Sequence, residues 1–136
     1  MEAPGVKLLL DTHIWLWALD RPEKLSRSVQ RQLQNPKNEL YLSPISVWEA
    51  QLLVKRRKLR LKQSWREWIE AAFARKSFME APFSFEVAVQ AGQIQLPQAD
   101  LGDLFLAATA STLGLTLVTS DSQLLACSWL KTLAND

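Results

Sequence analysis

Asp11, Glu49, Asp103 and Asp121 are the residues of this chain best suited to shared chemistry. They lie far apart in sequence, yet each stands where a fold can bring it to a common place. Asp11 ends the apolar run Val6-Lys7-Leu8-Leu9-Leu10, and Asp121 follows a second such run, Leu115 to Ser120. Glu49 and Asp103 interrupt stretches with helical apolar spacing. Two unit charges about 4 Å apart repel by roughly 4 kcal/mol at an effective dielectric near 20. A fold that gathers four carboxylates must therefore protonate some of them, supply a counter-charge, or hold a cation. An oxygen-only donor set suits Mg²⁺ or Mn²⁺ rather than zinc or copper. Such an ion lowers the pKa of water and stabilises charge on a transferring phosphoryl group. The pattern thus points to metal-dependent cleavage of phosphodiesters.

Each acid also has a local reading. Asp11, Asp100 and Asp121 stand before helical segments, where a carboxylate caps backbone N–H groups. Asp103 suits the first turn of a helix through its dipole. Glu49 fits a solvated position less well, because Ile45, Val47, Trp48, Leu52 and Leu53 make most of its helix apolar.

The elements that must position these residues read as follows. Residues 6–10 form a short, almost wholly apolar run, as in parallel strands covered on both faces. A helix is expected over 12–20 and another over 26–35, capped by Ser26 and closed before Pro36. A strand over 39–43 precedes Pro44, which opens a helix running to about Lys55. Ser64 caps a further helix with Trp65, Trp68, Ile69 and Ala72 on one face. Residues 78–80 read as a strand, 84–92 as a helix ending at Gly92, and 100–113 as a helix stopped by Gly114. A strand over 115–119, a short helix over 121–126 and a last strand over 129–133 complete the chain. Strands alternating with helices predict an α/β fold with a mainly parallel sheet and helices on both faces. In such sheets ligands bind beyond the carboxyl ends of the strands, where strand order reverses. Asp11 and Asp121 would share that crevice if their strands are neighbours.

Length and composition bound the answer. The 136 residues suit one domain, residues 1–136. No apolar stretch approaches the roughly 20 residues that cross a bilayer, and no signal-peptide pattern opens the chain, so a cytoplasmic place is expected. Cys127 is the only cysteine, which excludes an internal disulfide and a cysteine zinc site; a small buried apolar role is expected for it. His13 is the only histidine, which argues against a histidine metal site or a Ser-His-Asp triad. The net charge of +2 says little about partners by itself.

The segments Leu8 to Trp17 (LLLDTHIWLW), Ser43 to Ala50 (SPISVWEA), Asp100 to Ala110 (DLGDLFLAATA) and Leu117 to Asp121 (LVTSD) resemble the PIN-domain ribonucleases. Within them the chain is similar to the VapC-type toxins of toxin–antitoxin pairs. Order and spacing match along nearly the whole chain. The resemblance implies a three-layer α/β/α sandwich with a five-stranded sheet ordered 3-2-1-4-5. It implies Mg²⁺- or Mn²⁺-dependent endonucleolytic cleavage of RNA by Asp11, Glu49, Asp103 and Asp121, with Asp100 as an auxiliary metal ligand. It also implies a cognate antitoxin. The chain departs from the family where many relatives read Asp-Pro-x-Asp-Arg. Here Leu104 replaces the arginine, which touches phosphate orientation more than metal binding.

Thr12, Ser46, Thr119 and Ser120 are candidates to hydrogen-bond the carboxylates and fix their orientation. Lys55, Arg56, Arg57, Lys58, Arg60 and Lys62 put six cations within eight residues. Lys55, Arg56, Arg57, Lys58 and Arg60 are candidates to neutralise an RNA backbone. Trp15 and Trp17 lie about 200° apart on a helix, so one face does not take both. They are expected at a partner interface, either a homodimer or an antitoxin groove. Two rival classes are a receiver-type signalling domain and a PIN-like binding module without activity. The receiver needs an acidic pair after strand one, where only Asp11 stands.

Overall fold

A computed structural model of the chain describes residues 4–136. Its five strands are β1 (Lys7–Leu10), β2 (Glu39–Leu42), β3 (Met79–Glu80), β4 (Thr116–Thr119) and β5 (Thr132–Ala134). All pairings are parallel, and the strand order is β3-β2-β1-β4-β5. The α-helices are α1 (Thr12–Asp20), α2 (Arg27–Gln34), α3 (Pro44–Lys55), α4 (Trp65–Arg75), α5 (Phe85–Ala91), α6 (Leu101–Leu113) and α7 (Ser122–Leu125). The expected sheet order and layering are therefore present.

Alternation along the central strands explains the layers. Leu8, Leu10 and Val118 join a core with Ile14, Trp15, Val29 and Ala72, beneath α1, α2 and α4. Leu9 and Leu117 join a second core with Leu106, Ala107 and Ala110 of α6. Successive strand residues point to opposite faces, so short runs of leucine and valine bind helices on both sides. Helix starts follow local chemistry. Ser26, Ser43, Ser64 and Ser84 each accept a backbone N–H at the first turn, and Ser64 forms a reciprocal capping box with Glu67. Gly114 ends α6 at φ 68, a left-handed conformation that glycine adopts without a Cβ clash. Among the described residues no helix is long and apolar enough to cross a membrane.

Several expectations need correction. Trp15 is fully buried, edge-on to Trp68 at 5.7 Å and stacked with Phe73 at 6.3 Å, so it belongs to the core and not to a partner interface. Helix α4 closes over that side of α1, which periodicity in α1 does not reveal. The Trp15 indole N–H is buried without a hydrogen-bond partner. Trp48, one of the apolar residues around Glu49 on α3, is 56% exposed. The basic run leaves the helix: α3 ends at Lys55, Arg56 caps it, and Arg57 turns the chain at φ 59. The last strand starts at Thr132 rather than 129. Cys127 is only half-buried.

Candidate functional site

The chain reverses direction across the sheet between β1 and β4, which pair side by side. Asp11 follows β1 directly, and its N–H donates to Val118 O of β4 at 3.0 Å. Its carboxylate does not cap α1. Instead Asp11 Oδ2 accepts the Thr119 hydroxyl at 2.7 Å, and Thr119 Oγ1 in turn accepts the Asp121 N–H at 3.1 Å. One buried threonine at the end of β4 thus ties the loop carrying Asp121 to the carboxylate of Asp11. Asp121 Oδ1 caps α7 by accepting from Leu124 N at 3.0 Å. Its second oxygen is not used by that cap.

Glu49 comes from the middle of α3. Thr12 Oγ1, buried at the start of α1, lies 2.6 Å from Glu49 Oε1 and 2.9 Å from Ser46 Oγ. With one proton to give, the threonine donates to the carboxylate and accepts from the serine. Asp100 caps α6 by accepting from Asp103 N at 2.8 Å, and Asp103 stands in the first turn of that helix. Gly102, between them, is buried against Glu49. A Cβ built there would lie 2.1 Å from Glu49 Oε2. The absence of a side chain at this position lets α6 and the Glu49 carboxylate share the same space. A glycine inside a helix costs about 1 kcal/mol relative to alanine, and that cost was the one sequence signal for its role.

These elements enclose a cavity of about 450 Å³. Asp11, Glu49, Asp100, Asp103 and Asp121 line it, together with Arg56 from the end of α3. Ser120 lines it too, while Ser46 reaches it only through Thr12. Lys55, Arg57, Lys58 and Arg60 are not among its walls; Arg57, Lys58 and Arg60 border a neighbouring groove. Trp17 lies at the rim of both.

The electrostatics record the convergence. Burial, joined by the charges of Asp100, Asp11, Asp121 and Glu49, raises the Asp103 carboxyl to about 7. Burial also raises Glu49, with Asp100 and Asp11 adding to it, against the Thr12 hydrogen bond. Asp11 is raised by burial despite the Thr119 hydroxyl and the nearby His13. Among the described residues no three acidic or histidine side chains already stand in position to grip one ion. The donor set still fits a hard cation. It is all oxygen, three of its carboxyls are held above their usual range, and Mg²⁺ reaches many of its partners through retained waters.

Proton binding is linked to folding here. Asp103 binds its proton near pH 7 when folded, but near pH 4 when unfolded. In between, the folded state holds more protons than the unfolded one, so stability falls as pH rises from about 4 to about 7. We expect the Tm of the metal-free protein to decline from pH 5 to pH 7.5, and Mn²⁺ to remove most of that decline. Thermal melts with and without Mn²⁺ check both, and a decline that Mn²⁺ leaves untouched would contradict the linkage.

A family profile described as the PIN domain matches residues 8–129. No curated protein matches the chain. Among solved structures, it is similar to VapBC2 from Rickettsia felis bound to a promoter DNA fragment, at 21% identity and TM-score 0.75, covering 96% of this chain and 100% of that one. DNA-bound VapBC from Salmonella typhimurium is similar at 19% identity and TM-score 0.69, covering 95% and 98%. A toxin-antitoxin complex from Klebsiella pneumoniae is similar at 18% identity and TM-score 0.66, covering 95% and 98%.

Proposed function

Because the chain belongs to the PIN-domain family, we propose that it is a divalent-metal-dependent endoribonuclease and the toxin of a toxin–antitoxin pair, acting in the cytoplasm as a single catalytic domain. The observation that carries this reading is the convergence of Asp11, Glu49, Asp100, Asp103 and Asp121 on one cavity, where burial and the neighbouring carboxylates raise the Asp103 carboxyl. Asp11, Glu49, Asp103 and Asp121 would hold Mg²⁺ or Mn²⁺, with Asp100 at the margin. When bound, such an ion supplies Lewis-acid stabilisation of phosphoryl charge and makes water a better nucleophile.

The chain's own residues do the rest. Thr119 and Thr12 orient Asp11 and Glu49, so the oxygens are placed before substrate arrives. Arg56 is exposed at the cavity wall and has no ion pair among the described residues, so its guanidinium is free for a phosphate oxygen. That supports Arg56 in the role for which Leu104 has no chemistry. Lys55, Arg57, Lys58 and Arg60 would neutralise flanking phosphates.

The antitoxin partner rests on the likeness to the toxin-antitoxin complex above. Homodimer formation is supported by apolar surface elsewhere than first expected: Trp48 on α3, and Phe85, 94% exposed, with Val89 on α5.

Calorimetry with Mn²⁺, followed by cleavage of single-stranded RNA, tests the proposal. We expect saturable Mn²⁺ binding, internal cleavage, and complete loss with EDTA that excess Mn²⁺ restores. A second reading, a binding module without activity, draws on the Asp100–Leu104 departures. Absence of both Mn²⁺ binding and cleavage would favour it and reject the enzyme.

A further inference from the structure

We propose that His13 and Trp17 form a nucleobase subsite, on which a nucleotide beside the cleaved phosphate of a single-stranded RNA stacks. The proposal rests on the ribonuclease reading and adds a contact that reading does not contain. Its first support is position. The acidic cavity opens beside a groove of about 840 Å³, and His13, Trp17 and Leu53 line both. A strand passing from one to the other must cross these rings.

The second support is the state of the rings. His13 is exposed on the first turn of α1, and its ring stands 5.9 Å from that of Trp17 at an angle of 56°. Trp17 is half-buried, with its body packed against the core, so it is anchored rather than swinging. The Lys24 ammonium lies 5.4 Å from the centre of the Trp17 ring. A solvated cation resting there shows that a π-face is reachable from the groove. A base taking its place releases Lys24 to a phosphate.

The third support is charge. Seven cationic side chains, Lys24, Arg57 and Lys58 among them, border the groove, against the single carboxylate of Asp20. Cations along a groove with aromatic rings at one end match a single-stranded polynucleotide, whose bases stack and whose phosphates are neutralised. An acidic peptide would satisfy the cations equally. It would gain nothing from rings placed at the threshold of a carboxylate-lined cavity, and RNA is the occupant the arrangement favours.

The test uses the full chain with Mn²⁺ and a short single-stranded RNA whose cleavage position has been mapped. Abasic residues are placed one at a time beside the cleaved bond, and kcat/KM is measured. For the unaltered protein, one flanking abasic residue should lower kcat/KM by roughly 5- to 150-fold, the range expected for loss of one base–aromatic stack. Trp17→Leu should lower kcat/KM on intact RNA similarly, yet show no further loss on the abasic RNA. Trp17→Phe, which keeps a ring, should retain most of the discrimination, and its melting curve guards against a folding defect. Equal rates on intact and abasic RNA at every flanking position would overturn the subsite while leaving the ribonuclease standing. So would a Trp17→Leu protein that cleaves both RNAs normally but no longer binds a synthetic glutamate-rich amphipathic peptide. Failure of the unaltered protein to cleave any RNA would reject the ribonuclease reading and the subsite together.

Discussion

Asp11→Asn should leave a folded protein that has lost at least about 10³-fold of its RNA cleavage, equivalent to roughly 4 kcal/mol of transition-state stabilisation. Asparagine keeps the size of aspartate and an oxygen that accepts the Thr119 hydroxyl, so the link between the ends of β1 and β4 survives. What disappears is one negative charge held against desolvation at the centre of the cavity. The metal-free Tm should therefore hold or rise slightly. Mn²⁺ affinity should fall together with cleavage. Asp103 should lose its proton at lower pH, because Asp11 is one of the charges that raise it. Cleavage at the original rate, after contaminating nuclease has been removed on an inactive control column, would defeat the assignment of Asp11.

Gly102→Ala should separate stability from metal binding in the opposite way to most core substitutions. Only Gly114 among the glycines has a positive φ, so the backbone at 102 accepts alanine. Within a helix the change is favourable by about 1 kcal/mol. The collision is with the end of a flexible side chain, the Glu49 carboxylate, which must move and give up the 2.6 Å bond from Thr12. We expect Tm to stay level or increase while Mn²⁺ affinity and cleavage each fall roughly 10- to 100-fold, the usual effect of disturbing an orienting contact around a metal ligand. Calorimetry beside a thermal melt measures both. Unchanged Mn²⁺ affinity would mean that the place of Glu49 does not matter to the ion.

Much of this arrangement was legible from the residues. Leu8, Leu9 and Leu10 are apolar on both faces, which is what a central parallel strand requires, and Asp11 directly after them could only emerge at its carboxyl end. Ser26, Ser64 and Gly114 marked helix ends through their own hydrogen-bonding and backbone chemistry. What escaped reading depends on contacts between elements distant in sequence. Trp15 looked available because α1 is apolar on nearly every side, and only the approach of α4 shows that Trp68 and Phe73 cover it. Asp121 and Asp100 show a further limit: each was read either as a cap or as a site residue, yet each spends one oxygen on its helix while facing the cavity. Such dual use is set by orientation, which residue type alone does not encode.

The two halves of the cavity wall are grounded differently. Asp11 and Asp121 hang from β1 and β4, adjacent strands at the middle of the sheet. Glu49 and Asp103 ride on helices that lean against it. Central ladders are generally the last parts of a domain to open, whereas the elements packed against them can shift or open locally at lower cost. The gap across the carboxylates accordingly depends on how far α3 and α6 stand off from the strand ends as well as on the side chains they carry. If the site holds an ion as proposed, one jaw of it is tied to the sheet and the other to helices, so ions of different radius would be met by movement of α3 and α6 without breaking a strand pairing.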